Sequence, residues 1–274
     1  SKRALADYCC KHPETGQSPI TAEALSAYLA TKSSHFRELI THNNIPAHGL
    51  KRIGMGGDQP VFAEKRVSYV GQSIALVVGD QEAAMDELAE FVSAHCVDYT
   101  PVDWPPEWTH PVLTLPDAIG RNSIFPDYPA TAAFVSHIWK IIRKNSQFDW
   151  TAQNGNPLDQ EITVREETVD TGHCKVVGST QACGGQAHFY METQACVAIP
   201  ETADTIRLHP SSQSPMEMHT TAAAVLGVEQ NHVKVQIHQV GGGYGGKTEQ
   251  AKFVSAAAAV AANATNRPIR LVMP

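Results

Sequence analysis

The stretch Gly241-Gly242-Gly243-Tyr244-Gly245-Gly246-Lys247-Thr248 joins a predicted strand, residues 233–240, to a predicted alanine-rich helix, residues 248–264. Its letters match the phosphate-loop pattern G-x-x-x-x-G-K-[ST] and the dinucleotide pattern G-x-G-x-x-G. Glycines let backbone N–H groups approach a ligand closely, and the start of a helix favours an anion. Taken alone, the stretch therefore predicts nucleotide binding.

The preceding strand argues against a nucleotide as that ligand. Phosphate loops follow strands buried in a parallel sheet, which read as continuous apolar runs. Residues 233–240 instead alternate apolar and polar side chains, as a half-exposed strand does. Two alternatives stay open at this point: a nucleotide-binding loop and a glycine-rich turn without a ligand.

Helices and strands are both predicted on either side of this stretch. The apolar run at residues 74–78 predicts a buried strand, and apolar spacings of three and four predict an amphipathic helix over residues 81–95. A strand at 97–99 would complete a β-α-β unit. The sequence also predicts strands at 187–200 and 206–209, a helix from Ser214 that Gly227 ends, and short helical pieces near residues 21–29 and 36–40.

These elements predict an α+β (mixed α/β) fold in two parts. Residues 1–120 form the first domain and residues 171–274 the second. Prolines punctuate the region between them, so residues 121–170 are predicted to be a linker.

Composition excludes several classes of function. The longest apolar run, residues 256–262, is far shorter than the roughly 18 residues of a membrane helix, so no membrane span is expected. The formal net charge of −7, without a basic cluster, argues against a nucleic-acid partner. The six cysteines have no C-x-x-C pair and no metal-ligand spacing, so no protein-ligated metal is predicted. They favour a reducing intracellular compartment over secretion, and the compartment is otherwise unknown.

Four segments together resemble the molybdenum hydroxylases, the xanthine dehydrogenase and aldehyde oxidase family. Residues 241–247 resemble the family's G-G-G-F/Y-G-G-K loop, and residues 184–193 (GGQAHFYMET) resemble its G-G-Q-x-H-F-Y-L-E-T segment. Residues 211–215 (SSQSP) resemble its S-T-Q segment, and residues 70–78 (VGQSIALVV) are similar to a strand of its α/β hammerhead domain. The order of the four segments is also that of the family, whereas residues 1–58 fit it poorly.

The resemblance implies a fold, an activity and a cofactor. The fold is an α/β hammerhead-like domain followed by the first half of a molybdopterin-binding domain. The activity is hydroxylation of an aldehyde or N-heterocycle with water as the oxygen source, on a molybdenum–pterin cofactor. Two alternatives remain: a catalytically silent relative that serves as an accessory or structural subunit of a larger assembly, and, less favoured, a phosphate-loop nucleotide binder.

The resemblance also assigns roles to individual residues. Gln186 matches the glutamine that hydrogen-bonds near an oxygen ligand of the metal. Residues Gly242, Gly243, Tyr244 and Gly245 match the loop that lies against the cofactor. Thr248 occupies the position of a glutamate in the purine-oxidising members, and its neutral hydroxyl cannot accept a proton as a carboxylate does, so purine specificity is not expected.

Other features of the family are not expected in this sequence. The family's catalytic glutamate, its substrate-facing arginine and most pterin contacts belong to the second half of the molybdenum domain. The chain is therefore predicted to be incomplete on its own and to need partner chains that supply that half, or a host assembly. No iron–sulfur or flavin site is predicted in this chain. His188 and Glu192 are interpreted as structural residues.

Overall fold

The computed structural model describes residues 5–54, 56–102, 114, 117, 137–144, 147–154, 167–168, 185, 187–202 and 204–273. The chain divides into two compact units, one made of residues 1–104 and 187–274 and the other of residues 105–186. The first unit thus joins both ends of the sequence. The domain boundaries given above stay a prediction.

A mixed four-stranded sheet carries the C-terminal part of the first unit. Its strand order is β13-β12-β11-β14, with β11 antiparallel to β12 and β14, and β12 parallel to β13. The strands are β11 (Ala195–Pro200), β12 (Ile206–Pro210), β13 (Val233–Val235) and β14 (Ile269–Val272). They pack against two helices, α3 (Pro215–Leu226) and α4 (Glu249–Thr265).

Helix α4 is the centre of the larger core. Seven consecutive residues, 256–262, are buried all round the helix, and six of them are alanines. Small side chains let the backbones of α3 and the sheet approach it closely, which is why an alanine-rich helix is buried on every face. Leu208 on β12 and Val225 on α3 complete this core.

The N-terminal part of the first unit holds three small antiparallel sheets and two helices. One sheet has the order β5-β1-β7, a second pairs β2 with β6, and a third pairs β3 with β4. A second apolar core, which includes Leu25, Leu29 and Val92, lies between the first two of these sheets and the helices. The elements are β1 (Ala6–Cys10), α1 (Ala22–Lys32), β2 (Phe36–Ile40), β3 (Arg52–Ile53), β4 (Gln59–Pro60), β5 (Arg66–Val67), β6 (Leu76–Gly79), α2 (Glu82–His95) and β7 (Val97–Pro101).

The segment after β2 ties the two parts of the first unit together. The Leu50 N–H donates to the Ala224 carbonyl on α3 at 2.8 Å, and an ideal Cβ on Gly49 would lie only 1.9 Å from the Val225 carbonyl oxygen. Phe62, fully buried, belongs to the same core as Leu208. Residues that fit the family poorly by sequence are thus integral to the unit.

Several predicted elements are confirmed. Helix α1 begins after Thr21, whose hydroxyl accepts from the Ala24 N–H at 3.2 Å, and α2 matches its predicted range. Helix α3 has Pro215 in its first turn and ends at Gly227, which adopts φ +67°. A mixed fold of helices and sheets, as expected, is what the structure contains.

Four local predictions are wrong. The strand predicted at residues 233–240 ends at Val235. Residues 36–40 form a strand because they pair with β6. A register shift between Phe36 and Glu38 interrupts the two-residue alternation, and Leu39 and Ile40 are both buried, so the apolar spacing imitates that of a helix. Strands β6 and β7 belong to different sheets, so no β-α-β unit forms. The predicted strand at 187–200 is a strand only from Ala195, because the side chains before it contact the glycine-rich stretch instead of a neighbouring strand.

The second unit is described through three strands, β8 (His137–Lys144), β9 (Gln147–Asn154) and β10 (Glu167–Thr168). Strands β8 and β9 form an antiparallel hairpin, and β10 pairs with β9. The hairpin falls within the range predicted as a linker. No helix among the described residues has the length and apolar character needed to cross a membrane.

Candidate functional site

Residues 241–247, called the glycine loop below, turn sharply between β13 and α4. Gly242 and Gly245 both adopt φ +93°, which glycine reaches without strain. Tyr244 adopts φ +48°, an uncommon conformation for a residue with a side chain, and that side chain is 74% exposed. The loop thus holds an unusual backbone shape with an aromatic ring on its outer side.

One carboxylate connects the first and last residues of the glycine loop. Glu192 Oε2 accepts from the Gly241 N–H at 2.6 Å and from Lys247 Nζ at 2.7 Å. The Ser211 hydroxyl donates to the same oxygen at 2.8 Å and accepts from Lys247 Nζ at 2.8 Å. The Lys247 side chain is fully buried, and its ammonium lies 4.9 Å from the centre of the Tyr190 ring.

These contacts set the protonation of Glu192. Burial alone would raise the pKa of this carboxyl, but the hydrogen bonds from Lys247, Ser211 and Gly241 outweigh it and hold the pKa below its ordinary value. Glu192 is therefore ionised at neutral pH and balances the buried ammonium of Lys247.

A second side chain holds the far end of the glycine loop. Gln213 Oε1 accepts from the Gly245 N–H at 2.9 Å and from the Lys247 N–H at 3.3 Å. Gly243 lies directly against this amide, because an ideal Cβ there would be 2.4 Å from Gln213 Oε1. On the other side, Gln194 Nε2 donates to the Gly246 carbonyl at 3.0 Å.

The tip of the glycine loop keeps three unused donors. The backbone N–H groups of Gly242, Gly243 and Tyr244 have no hydrogen-bond acceptor among the residues that the structure describes. Successive free N–H groups on a glycine-rich turn form a concave donor set suited to phosphate or other electron-rich oxygens. The residues present fit a phosphate-bearing, oxygen-rich cofactor such as molybdopterin.

The structure locates most of the residues that the sequence singled out. Gly242, Gly243, Tyr244 and Gly245 form the turn, in which Tyr244 and Gly245 are exposed, Gly242 is half-buried and Gly243 is buried. The Thr248 hydroxyl donates to the Gly245 carbonyl at 2.9 Å. Gln186 lies outside the described residues. The cofactor and substrate roles assigned to these residues stay predictions.

Sequence reasoning missed the network beneath the loop. Nothing in the sequence predicts that Glu192 and Lys247, 55 positions apart, share an ion pair, or that Gln213 accepts from the loop. The only signal was their presence in the segments that resemble the family. Among the described residues, no cluster of three or more histidine, cysteine, aspartate or glutamate side chains is arranged to hold a metal ion.

Comparison with known proteins agrees with this fold and loop. Residues 146–274 match the family model described as the molybdopterin cofactor-binding domain. The aldehyde oxidoreductase from Desulfovibrio gigas superposes with a TM-score of 0.61 at 21% identity, over 100% of this chain and 26% of that one. Quinoline 2-oxidoreductase from Pseudomonas putida superposes with a TM-score of 0.57 at 17% identity, over 100% of this chain and 30% of that one. These likenesses and the glycine loop define a molybdopterin cofactor-binding fold.

Sequence relatives place the chain within that class. Indole-3-acetaldehyde oxidase of Arabidopsis thaliana is 33% identical over 235 residues, covering 85% of this chain and 15% of the relative. Xanthine dehydrogenase of Drosophila subobscura is 29% identical over 254 residues, covering 93% of this chain and 16% of the relative. The chain belongs to the molybdenum hydroxylase family of xanthine dehydrogenases and aldehyde oxidases. It spans about 15% of the length of these relatives.

Proposed function

We propose that this chain supplies the glycine-loop side of a molybdenum–pterin site in an enzyme that hydroxylates aldehydes or N-heterocycles with oxygen from water. The observation that carries the proposal is the set of three unpaired N–H groups at Gly242, Gly243 and Tyr244. When bound, the cofactor supplies the two-electron oxidation chemistry. The protein's part is to bind and orient it.

The glycine loop would bind the cofactor through its main chain. The N–H groups at the tip donate to oxygens, and glycine at position 242 permits the φ of +93° on which the shape of the tip depends. Gln186, in the segment of residues 184–193 that resembles the family, would supply an uncharged amide donor for an oxygen near the metal. The loop and Gln186 together would hold the cofactor without adding charge.

Lys247 supports this proposal over nucleotide binding. A phosphate-loop lysine must reach the β- and γ-phosphates. Here the ammonium is fully buried and paired with Glu192 on the inner side of the glycine loop. Strand β13, only three residues long, pairs with β12 in a mixed sheet rather than lying within a parallel one.

Thr248 favours aldehydes or simple heterocycles over purines. Its hydroxyl donates to the Gly245 carbonyl and so has no proton left to give, and it cannot exchange protons at neutral pH. A purine ring offers several nitrogens that a carboxylate would recognise, and Thr248 cannot replace that recognition. Turnover of an aromatic aldehyde should exceed that of a purine in kcat/KM.

Apolar side chains beside the loop support completion of the site by further polypeptide. Phe189 is 90% exposed, Met191 93% and Tyr244 74%. Large apolar surfaces of this kind mark contact sites. We place the rest of the site in polypeptide outside these 274 residues, whether in the same or another chain, since the matched region covers only 15% and 16% of the two relatives.

Molybdenum content tests the proposal. The full-length protein, purified from its source with its partners, should contain about one molybdenum per chain by elemental analysis. Gly242→Ala should lower that content, because a Cβ at φ +93° strains the loop tip and would lie 3.2 Å from the Tyr244 ring.

The matched control is Gly57→Ala, which also adds a Cβ at positive φ (+63°) but meets nothing within 4 Å. Its molybdenum content should equal that of the wild type. No molybdenum in wild-type material that retains its partner chains would refute the enzyme and favour an accessory role. Stabilisation by ATP or GTP that Lys247→Ala abolishes would instead support nucleotide binding.

A further inference from the structure

The Lys247 side chain carries a charge into the interior, where it pairs with Glu192. A charge removed from water is costly unless it is paired and hydrogen-bonded. Lys247 satisfies this requirement with Glu192, Ser211 and the face of the Tyr190 ring. Buried ion pairs can often be replaced by apolar residues without loss of stability, so stability alone does not account for this pair.

A further contribution of the pair is visible in what Glu192 binds. A single oxygen, Oε2, accepts from the N–H of Gly241, the first residue of the glycine loop, and from the ammonium of Lys247, the last. The carboxylate therefore bridges the two ends of the loop. Because both donors converge on one atom and the Lys247 side chain is fully buried, the hydrogen bonds and the packed lysine chain together restrain the separation of the loop ends.

We infer that Glu192 and Lys247 are positioning residues that set the span of the glycine loop and thereby aim its three free N–H groups. Neither side chain is among the three donors proposed to bind the ligand. The effect of the pair reaches the tip because Gln213 binds Gly245 and Lys247, so a change in the loop ends displaces that bond as well. The identity of the ligand rests on the function proposed above, whereas the bridge itself does not.

Amide hydrogen exchange tests the bridge without any cofactor. The full-length protein is produced without molybdenum, as wild type, Glu192→Gln and Lys247→Met. Exchange is measured by mass spectrometry with electron-transfer fragmentation, which resolves single amides and so separates Gly245 and residue 247 from Gly241, whose N–H binds Glu192 directly. Both variants should accelerate exchange of the amides of Gly245 and residue 247 by roughly tenfold, the loss of one hydrogen bond. Neither amide is bonded to Glu192, so a purely local loss would leave them unchanged.

A control of the same chemistry lies elsewhere in the unit. Glu201 also accepts from two cations, Arg207 and Lys234, away from the glycine loop. Glu201→Gln should leave the exchange of the Gly245 and Lys247 amides at the wild-type rate. Ser211→Ala is a milder change that removes one donor to Glu192 and should accelerate the same amides by less than Glu192→Gln does.

The outcomes separate this inference from the proposed function. Unchanged exchange at Gly245 and Lys247 in Glu192→Gln, or in Ser211→Ala if Glu192→Gln unfolds, would overturn the bridge whatever the metal content. Faster exchange confined to the loop, in a protein whose wild type binds no molybdenum, would support the bridge and refute the function. Faster exchange at Gly245 and residue 247, together with a lower molybdenum content when the same variants are produced with molybdenum, would support both the bridge and the proposed function.

Discussion

The contact between Gly243 and Gln213 predicts that Gly243→Ala destabilises the glycine loop of the wild type but not that of Gln213→Ala. In Gly243→Ala, the new Cβ would lie 2.4 Å from Gln213 Oε1 and 2.6 Å from its Cδ, roughly 1 Å inside normal contact distances. The amide must move, and its hydrogen bonds to the Gly245 and Lys247 N–H groups are lost. Two such bonds contribute about 1–3 kcal/mol.

A smaller term opposes this loss. Gly243 does not adopt positive φ, so alanine there restricts the unfolded chain and stabilises by about 0.4–1 kcal/mol. The net expectation for Gly243→Ala is destabilisation of the loop by about 1–2 kcal/mol, which is roughly 5- to 30-fold faster amide exchange at Gly245 and Lys247.

Gln213→Ala removes the same two bonds and also the atoms that the new Cβ would meet. Adding Gly243→Ala to Gln213→Ala should therefore be neutral or stabilising, so the two substitutions are strongly non-additive. The assay is amide exchange of the full-length protein in all four forms. Additive effects would refute the contact, and so would a Gly243→Ala variant that exchanges like the wild type. Gly185→Ala, where a Cβ meets nothing within 4 Å, is the control.

Two further predictions concern pH and the end of a helix. Folding lowers the pKa of Glu192, so the contribution of its carboxylate to stability is present above the unfolded pKa of about 4.5 and is lost as the pH falls through the folded pKa. The free energy of unfolding, followed by tryptophan fluorescence, should therefore fall less steeply with decreasing pH in Glu192→Gln than in the wild type. Equal slopes would contradict this. Gly227→Ala adds a Cβ at φ +67° that would lie 2.8 Å from the His48 backbone, so it should cost about 2–4 kcal/mol in urea titrations. Gly16→Ala, at φ +72° with nothing within 4 Å, should cost only about 1–2 kcal/mol, and equal losses would refute the backbone contact.

Local signals in the sequence predicted the helices well. The Thr21 cap, the apolar face of α2 and the Pro215 and Gly227 boundaries of α3 each act within one or two turns, so they are readable from neighbouring letters. The strand at 36–40 was misread because its bulge is set by pairing with β6, about 40 residues further on. Tertiary pairing decided that element, and periodicity alone does not contain it.

The candidate site was predictable in part for the same reason. The glycine loop is contiguous, so its letters predict a turn with free donors. The side chains that hold it come from residues 192, 211 and 213, which reach the loop only through the sheet of β11 and β12. Only their resemblance to family segments marked them, and resemblance does not say which atoms meet.

The position of Lys247 separates two functions that share one sequence pattern. In a phosphate loop the lysine lies on the ligand side and supplies positive charge to the phosphates. Here the Lys247 ammonium is buried on the inner side of the glycine loop and pairs with Glu192, so the two charges neutralise each other. The loop tip is left with uncharged N–H donors alone. Such N–H groups bind oxygens through the direction of their hydrogen bonds rather than through net charge, which suits a cofactor that has to be oriented. The difference from a phosphate loop comes from Glu192, 55 positions before Lys247, and not from the glycine pattern.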